Sequence, residues 1–104
     1  YYRVIHEYDK HTKVKELAVP PGGKLSMQRH DKRSEHWFVA EGTATVYTLN
    51  VSSDVELYGV YEQHKSLHIP VNTWHQLTNE HDVPLKLVEI QYGENCIEED
   101  IERK

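Results

Sequence analysis

Short segments rich in Val, Ile, Tyr, Thr and Leu recur along the chain, separated by Pro, Gly and clusters of polar residues. That punctuation predicts strands over Tyr2–Tyr8, Thr12–Val19, Leu25–His30, Glu35–Ala40, Thr43–Leu49, Val55–Tyr61, Ser66–Ile69, His75–Asn79 and Leu85–Tyr92. Pro20-Pro21-Gly22-Gly23 is a turn, because Pro sets φ and Gly supplies the positive φ that other residues avoid. Glu41-Gly42 is a tight hairpin, and Val51–Asp54 and Asn79–Asp82 are looser polar loops. Short strands at such spacing predict an all-β sandwich or barrel. The acidic end, Glu98 to Lys104, is expected to be a helical turn or a frayed, solvated tail.

Composition narrows this picture. A chain of 104 residues is expected to form one domain over residues 1–104. With 38% apolar residues its core is thin, as in a small barrel or sandwich. A formal charge of −5 without a basic block speaks against a nucleic-acid surface. No run approaches the ~18 apolar residues of a membrane helix, and no signal peptide is visible. The lone Cys96 forbids an internal disulfide, so the expected setting is cytoplasmic, without membrane or nucleic-acid partners.

Two stretches carry chemistry. Alternation on a strand puts Ser26, Gln28 and His30 on one face and Met27 and Arg29 on the other. In the next strand Glu35 shares a face with Trp37 and Val39, which marks that face as interior. An isolated carboxylate there is costly unless something neutralises it. In the second stretch His75 shares a face with Leu77 and Asn79. Gln28, His30, Glu35 and His75 therefore form a candidate ligand set for one divalent ion, a set that suits zinc, manganese, cobalt, iron or nickel.

The spacing Gly22-x5-Gln28-x-His30-x4-Glu35-x6-Gly42 resembles the first cupin motif, with Gln where the motif has its first His. Pro70-x-Asn72-x2-His75-x3-Asn79 resembles the second, with Asn at the usual Gly. More closely, LSMQRHDKRSEHWFVAEGTATV (25–46), IPVNTWHQLTN (69–79), PLKLVEIQYGE (84–94) and EEDIER (98–103) resemble the cupin half of type II phosphomannose isomerases. The likeness runs over nearly the whole chain. The longer stretch from Tyr47 to His64, and Asn95-Cys96-Ile97 in place of Tyr-Leu-Gly, depart from that pattern. No Gly-rich phosphate loop occurs, so sugar-nucleotide synthesis is not read from these residues.

The resemblance implies a cupin fold, a homodimer, and interconversion of mannose 6-phosphate and fructose 6-phosphate with one divalent metal, zinc foremost. Arg33 is expected in a loop between the ligand strands, close enough to reach substrate, and is read as catalytic. His36 alternates away from the interior; it is the first candidate for the proton carrier, ahead of a metal-bound water. Arg33, Lys32, Lys24 or Arg103 could meet the 6-phosphate. Two other readings stay open: a non-catalytic sugar-binding or regulatory cupin, and an iron-dependent cupin oxygenase using the His–Glu–His subset.

Overall fold

The computed structural model describes residues 2–104. Five strands form one sheet in the order β1 (Tyr2–Asp9), β2 (Thr12–Val19), β9 (Leu85–Gly93), β4 (Arg33–Glu41) and β7 (Ser66–Ile69). A second sheet orders β6 (Val55–Tyr61), β5 (Ala44–Leu49) and β8 (Gln76–Thr78), and a short pair joins β10 (Glu102–Arg103) to β3 (Gln28–Arg29). All of these pairings are antiparallel. Among the described residues there is no helix, and so none long and apolar enough to cross a membrane.

The two larger sheets close on a core of Leu17, Val19, Trp37, Val39, Ala44, Val46, Leu67, Ile69, Leu77, Leu85 and Leu87. Three neighbouring strands build the inner face of the large sheet, and their pairing lines up like with like. Leu17, Leu87 and Val39 stand side by side, and Val19 faces Leu85. One row further on, Lys15 pairs with Glu89 and Glu89 with Trp37; beyond that, Lys13 pairs with Gln91 and Gln91 with Glu35. These inward side chains are all buried, so the sandwich is apolar at one end and polar and charged at the other. That polar end is where the candidate ligands lie.

Two expectations change. The strand expected over Leu25–His30 is continuous only at Gln28–Arg29, because its backbone divides its bonds. Leu25 N–H donates to Leu77 O and Gln28 exchanges both bonds with His75, while the opposite side pairs with β10. The end of the chain is neither a helical turn nor frayed: it returns as β10, and Lys104 N–H donates to Met27 O at 2.9 Å. Backbone partners on β3 bind it more fully than a helical turn would.

Gly42 forms the expected hairpin at φ 87°, where a Cβ would lie 2.5 Å from Pro84 O. Gly93, at φ 147°, ends β9 against β4; a Cβ there would stand 2.7 Å from Lys32 O and 3.0 Å from Arg33 Cα. Such close approach lets residues 94–101 pass over the polar end of the sandwich.

Candidate metal centre

His30, Glu35 and His75 are all buried, and one ligating atom from each lies within 4.8 Å of the others. Glu35 Oε2 is 3.2 Å from His30 Nε2, and Glu35 Oε1 is 3.8 Å from His75 Nε2. Both imidazoles are turned by backbone carbonyls. His30 Nδ1 donates to Asp100 O at 2.7 Å, and His75 Nδ1 donates to Thr73 O at 2.9 Å. A carbonyl can only accept, so each Nδ1 carries the hydrogen and each Nε2 is left as an acceptor close to Glu35. The donor chemistry fits a divalent cation: two neutral imidazoles and one carboxylate converge, with Gln28 beside them at the cavity wall. Gln28 turns its amide nitrogen to Ser26, donating to the Ser26 carbonyl and hydroxyl at 3.4 and 3.3 Å.

Local backbone holds these groups. Asn72, where the motif has Gly, adopts φ 59°, a region Asn tolerates better than most residues. Its N–H donates to His30 O at 2.7 Å and ties the turn before His75 to the other ligand segment. On the far side, Asp100 accepts from the backbone N–H of Asp31 and Lys32 at 3.0 and 2.8 Å.

Arg33 is not in a loop. It is the first residue of β4, buried, with Nε donating to Glu35 Oε2 at 3.1 Å and Nη1 to Ile97 O at 3.2 Å. Its Nη2 donates to His30 Nε2 at 3.3 Å, so the guanidinium supplies the positive charge beside Glu35. The structure does not bring His36 to this group. Pairing with His68 and Ile90 puts it on the outer face of the large sheet, one residue out of phase with Glu35. It does not line the cavity, which removes the geometric basis for its expected proton-carrying role. Of the cations expected to meet phosphate, Arg33 and Arg103 line the cavity, whereas Lys24 lines a different one and Lys32 is exposed.

The cavity is about 260 Å³ and holds groups that the motif reading overlooked. Glu89 accepts from Trp37 Nε1 at 3.0 Å and from Gln91 Nε2 at 2.6 Å. Trp37 Nε1 is shared with Glu35 Oε1, also at 3.0 Å, so two carboxyl groups crowd one N–H. Burial, and then the neighbouring Glu35 charge, push the Glu89 carboxyl well above the usual carboxylate range. Gln91 Oε1 is buried without a hydrogen-bond partner. The signal was available: in Leu85-Lys86-Leu87-Val88-Glu89-Ile90-Gln91, Glu89 and Gln91 share the face of Leu85 and Leu87.

Burial, then the Arg33 charge, lowers His30 to about 4, and burial lowers His75 as well. A base depressed by folding stabilises the native state fully above its unfolded pKa and loses that contribution as pH falls through the folded one. In the metal-free chain the His30 contribution is thus complete above pH 6.5 and lost as pH falls toward about 4. Glu89 works the other way, its contribution being lost as pH rises. Denaturant titration of parent and His30→Gln isolates the histidine: the stability difference between them should shift against the parent from pH 7 to pH 4. A difference independent of pH would contradict the assignment.

A double-stranded all-β sandwich with a His–Glu–His cluster at one end defines a cupin. The Mannose-6-phosphate isomerase C-terminal family matches residues 1–104, and the chain belongs to that family. It is 40% identical over 102 residues to mannose-1-phosphate guanylyltransferase of Salmonella muenchen, covering 98% of this chain and 20% of the relative. The chain thus spans about a fifth of the length of the curated relatives it matches. Among solved structures it is similar to a Klebsiella pneumoniae protein with a double-stranded β-helix domain (TM-score 0.79, 16% identity, 96% of this chain and 79% of that one). It is also similar to a sugar phosphate isomerase of the cupin superfamily from Silicibacter pomeroyi (TM-score 0.65, 18% identity, 79% of this chain and 50% of that one). At such identities the two structures speak for the fold.

Proposed function

We propose that this cupin is a metal-dependent isomerase of mannose 6-phosphate and fructose 6-phosphate, its divalent ion held by His30, Glu35, His75 and Gln28. The observation that carries the reading is the convergence of His30, Glu35 and His75 within 4.8 Å in a chain of this family. A bound ion, zinc foremost among those this set accepts, supplies a Lewis acid toward the sugar's carbonyl and hydroxyl oxygens.

The remaining work falls to the chain's own groups. Moving a proton between C1 and C2 needs a group that can hold one near neutral pH. Glu89, raised by burial and by Glu35, lies at the cavity wall and takes the place sequence reading gave to His36: its carboxylate form takes the proton from one carbon, holds it as the acid, and returns it to the other. Gln91 Oε1, buried and unpartnered, can accept from a sugar hydroxyl and so orient the ring. Arg33 holds Glu35 in place and puts positive charge where negative oxygen develops. A homodimer belongs to this reading; what supports it is the edge strand β1, whose Tyr2, Val4, Ile5 and Tyr8 are exposed.

The test is a coupled assay of mannose 6-phosphate turnover on chain loaded with zinc, manganese or cobalt. Turnover lost on chelation and restored by metal is the expected result. Sugar-phosphate binding without turnover under all three metals would replace the isomerase with a binding module.

A further inference from the structure

Lys15 stands out among the charged groups that the proposed chemistry does not use. Lysine is almost never buried without a partner, yet the Lys15 side chain is 4% exposed, on the inner face of β2, and lines the cavity of the candidate centre. Its ion-pair partner is Glu98, whose side chain is 48% exposed and sits in the irregular segment between β9 and β10. The cation is therefore fixed on a sheet, while the anion comes from a peripheral turn. Lys13 Nζ approaches the same Glu98 oxygen at 3.5 Å, and the Tyr2 ring covers Lys15 Nζ at 4.2 Å.

We infer that Lys15 is the anion anchor of this cavity and that Glu98 occupies its place until a phosphate-bearing ligand displaces it. The identity of the ligand, a sugar phosphate, rests on the reading proposed above; the anchor itself does not depend on isomerisation. Three observations support the assignment. Glu98 sits among several cations: burial alone would raise its carboxyl, but Lys15, then Arg33 and Lys13, outweigh burial and hold it below the usual range, with Lys13 also 3.8 Å from Glu7 and Arg33 paired with Glu35. A phosphate dianion answers such a cluster better than a single charge. Arg103, lining the same cavity, adds a second donor on β10.

The spacing is also right. Lys15 lies on β2 and Glu35 on β4, with β9 between them; Lys15 stands in the row of Glu89 and Trp37, two residues along from Glu35, so their backbones are about 12 Å apart. With both side chains reaching inward, a six-carbon sugar can present its C1–C2 end to the candidate centre and its 6-phosphate to Lys15.

Calorimetric titration of the chelator-treated 104-residue chain with mannose 6-phosphate, and with mannose as the uncharged control, tests this. The parent should prefer mannose 6-phosphate. Lys15→Met should weaken that binding about 10- to 100-fold without changing binding of mannose. Glu98→Gln, which keeps an amide oxygen to accept from Lys15 but removes the competing charge, should tighten it several-fold in protein whose thermal melt shows it folded. Parent-like affinity in either variant, or no preference for the phosphorylated sugar in the parent, overturns the inference. Neither arm needs turnover. A chain that binds through Lys15 yet fails to isomerise keeps the anchor and sinks the isomerase; an isomerase whose KM ignores Lys15→Met does the reverse.

Discussion

His30→Ala and His75→Ala should each abolish stoichiometric metal binding, reducing affinity by at least about 100-fold. Each imidazole offers Nε2 because a backbone carbonyl holds the Nδ1 hydrogen, Asp100 for His30 and Thr73 for His75. Removing one leaves Glu35, Gln28 and a single histidine, too few donors to outcompete water. Because a bound ion favours the folded state, the variants should also lose metal-dependent stabilisation, about 2.7 kcal/mol for the parent at a hundredfold excess over Kd. Elemental analysis after dialysis, alongside thermal melts with and without added zinc, reads both effects. Unchanged metal content in both variants would mean that these residues are not the ligands.

Arg33→Ala should separate the structural work of the guanidinium from its work on substrate. Arg33 is buried against Glu35 and also satisfies Ile97 O and His30 Nε2. Deleting one partner of a buried pair leaves the other charge stranded, at a cost of about 3–5 kcal/mol. The loss should be large in metal-free protein and smaller with metal bound, since the ion then supplies Glu35 with a positive neighbour. Metal-loaded Arg33→Ala should lose about 30- to 1000-fold in mannose 6-phosphate turnover. Arg33→Lys should recover little, because an ammonium cannot imitate a fork that reaches Glu35 and Ile97 O together. Equal melting temperatures for parent and Arg33→Ala, with and without metal, would show that the pair holds nothing together.

Most of the strand pattern was legible because period-two alternation is a local signal. Thr12–Val19, Val55–Tyr61 and Ser66–Ile69 have the expected bounds. Where pairing is divided, as in residues 25–30, alternation could not show which neighbour each backbone group would choose. The convergence of His30, Glu35 and His75 was legible because motif spacing and the inward face of Trp37 pointed the same way. Arg33 was misplaced because a polar run reads as a loop, although Gly93 pairs opposite Arg33 and brings it into β4. Glu89, Gln91 and Lys15 went unread for a different reason. Each obeys the inward-face argument applied to Glu35, but lies outside the motif that drew attention to it. The role of the chain's end was not legible at all, since it depends on contacts between residues some seventy positions apart, such as Asp100 with His30.

The segment after β9 also has a bearing on the order of assembly. Asp100 O receives the His30 hydrogen, Ile97 O receives one from Arg33, and Cys96 N–H donates to Lys10 O. All three contacts reach back to residues that precede β5 in the chain. Until that final stretch settles, His30 has no acceptor to choose its tautomer and Arg33 lacks a carbonyl to hold its fork. The backbone acceptors that orient His30 and Arg33 are thus in place only once that stretch has docked. Capture of a cation by such a cluster should therefore follow folding rather than drive it, unlike metal sites whose ion drives the chain to collapse.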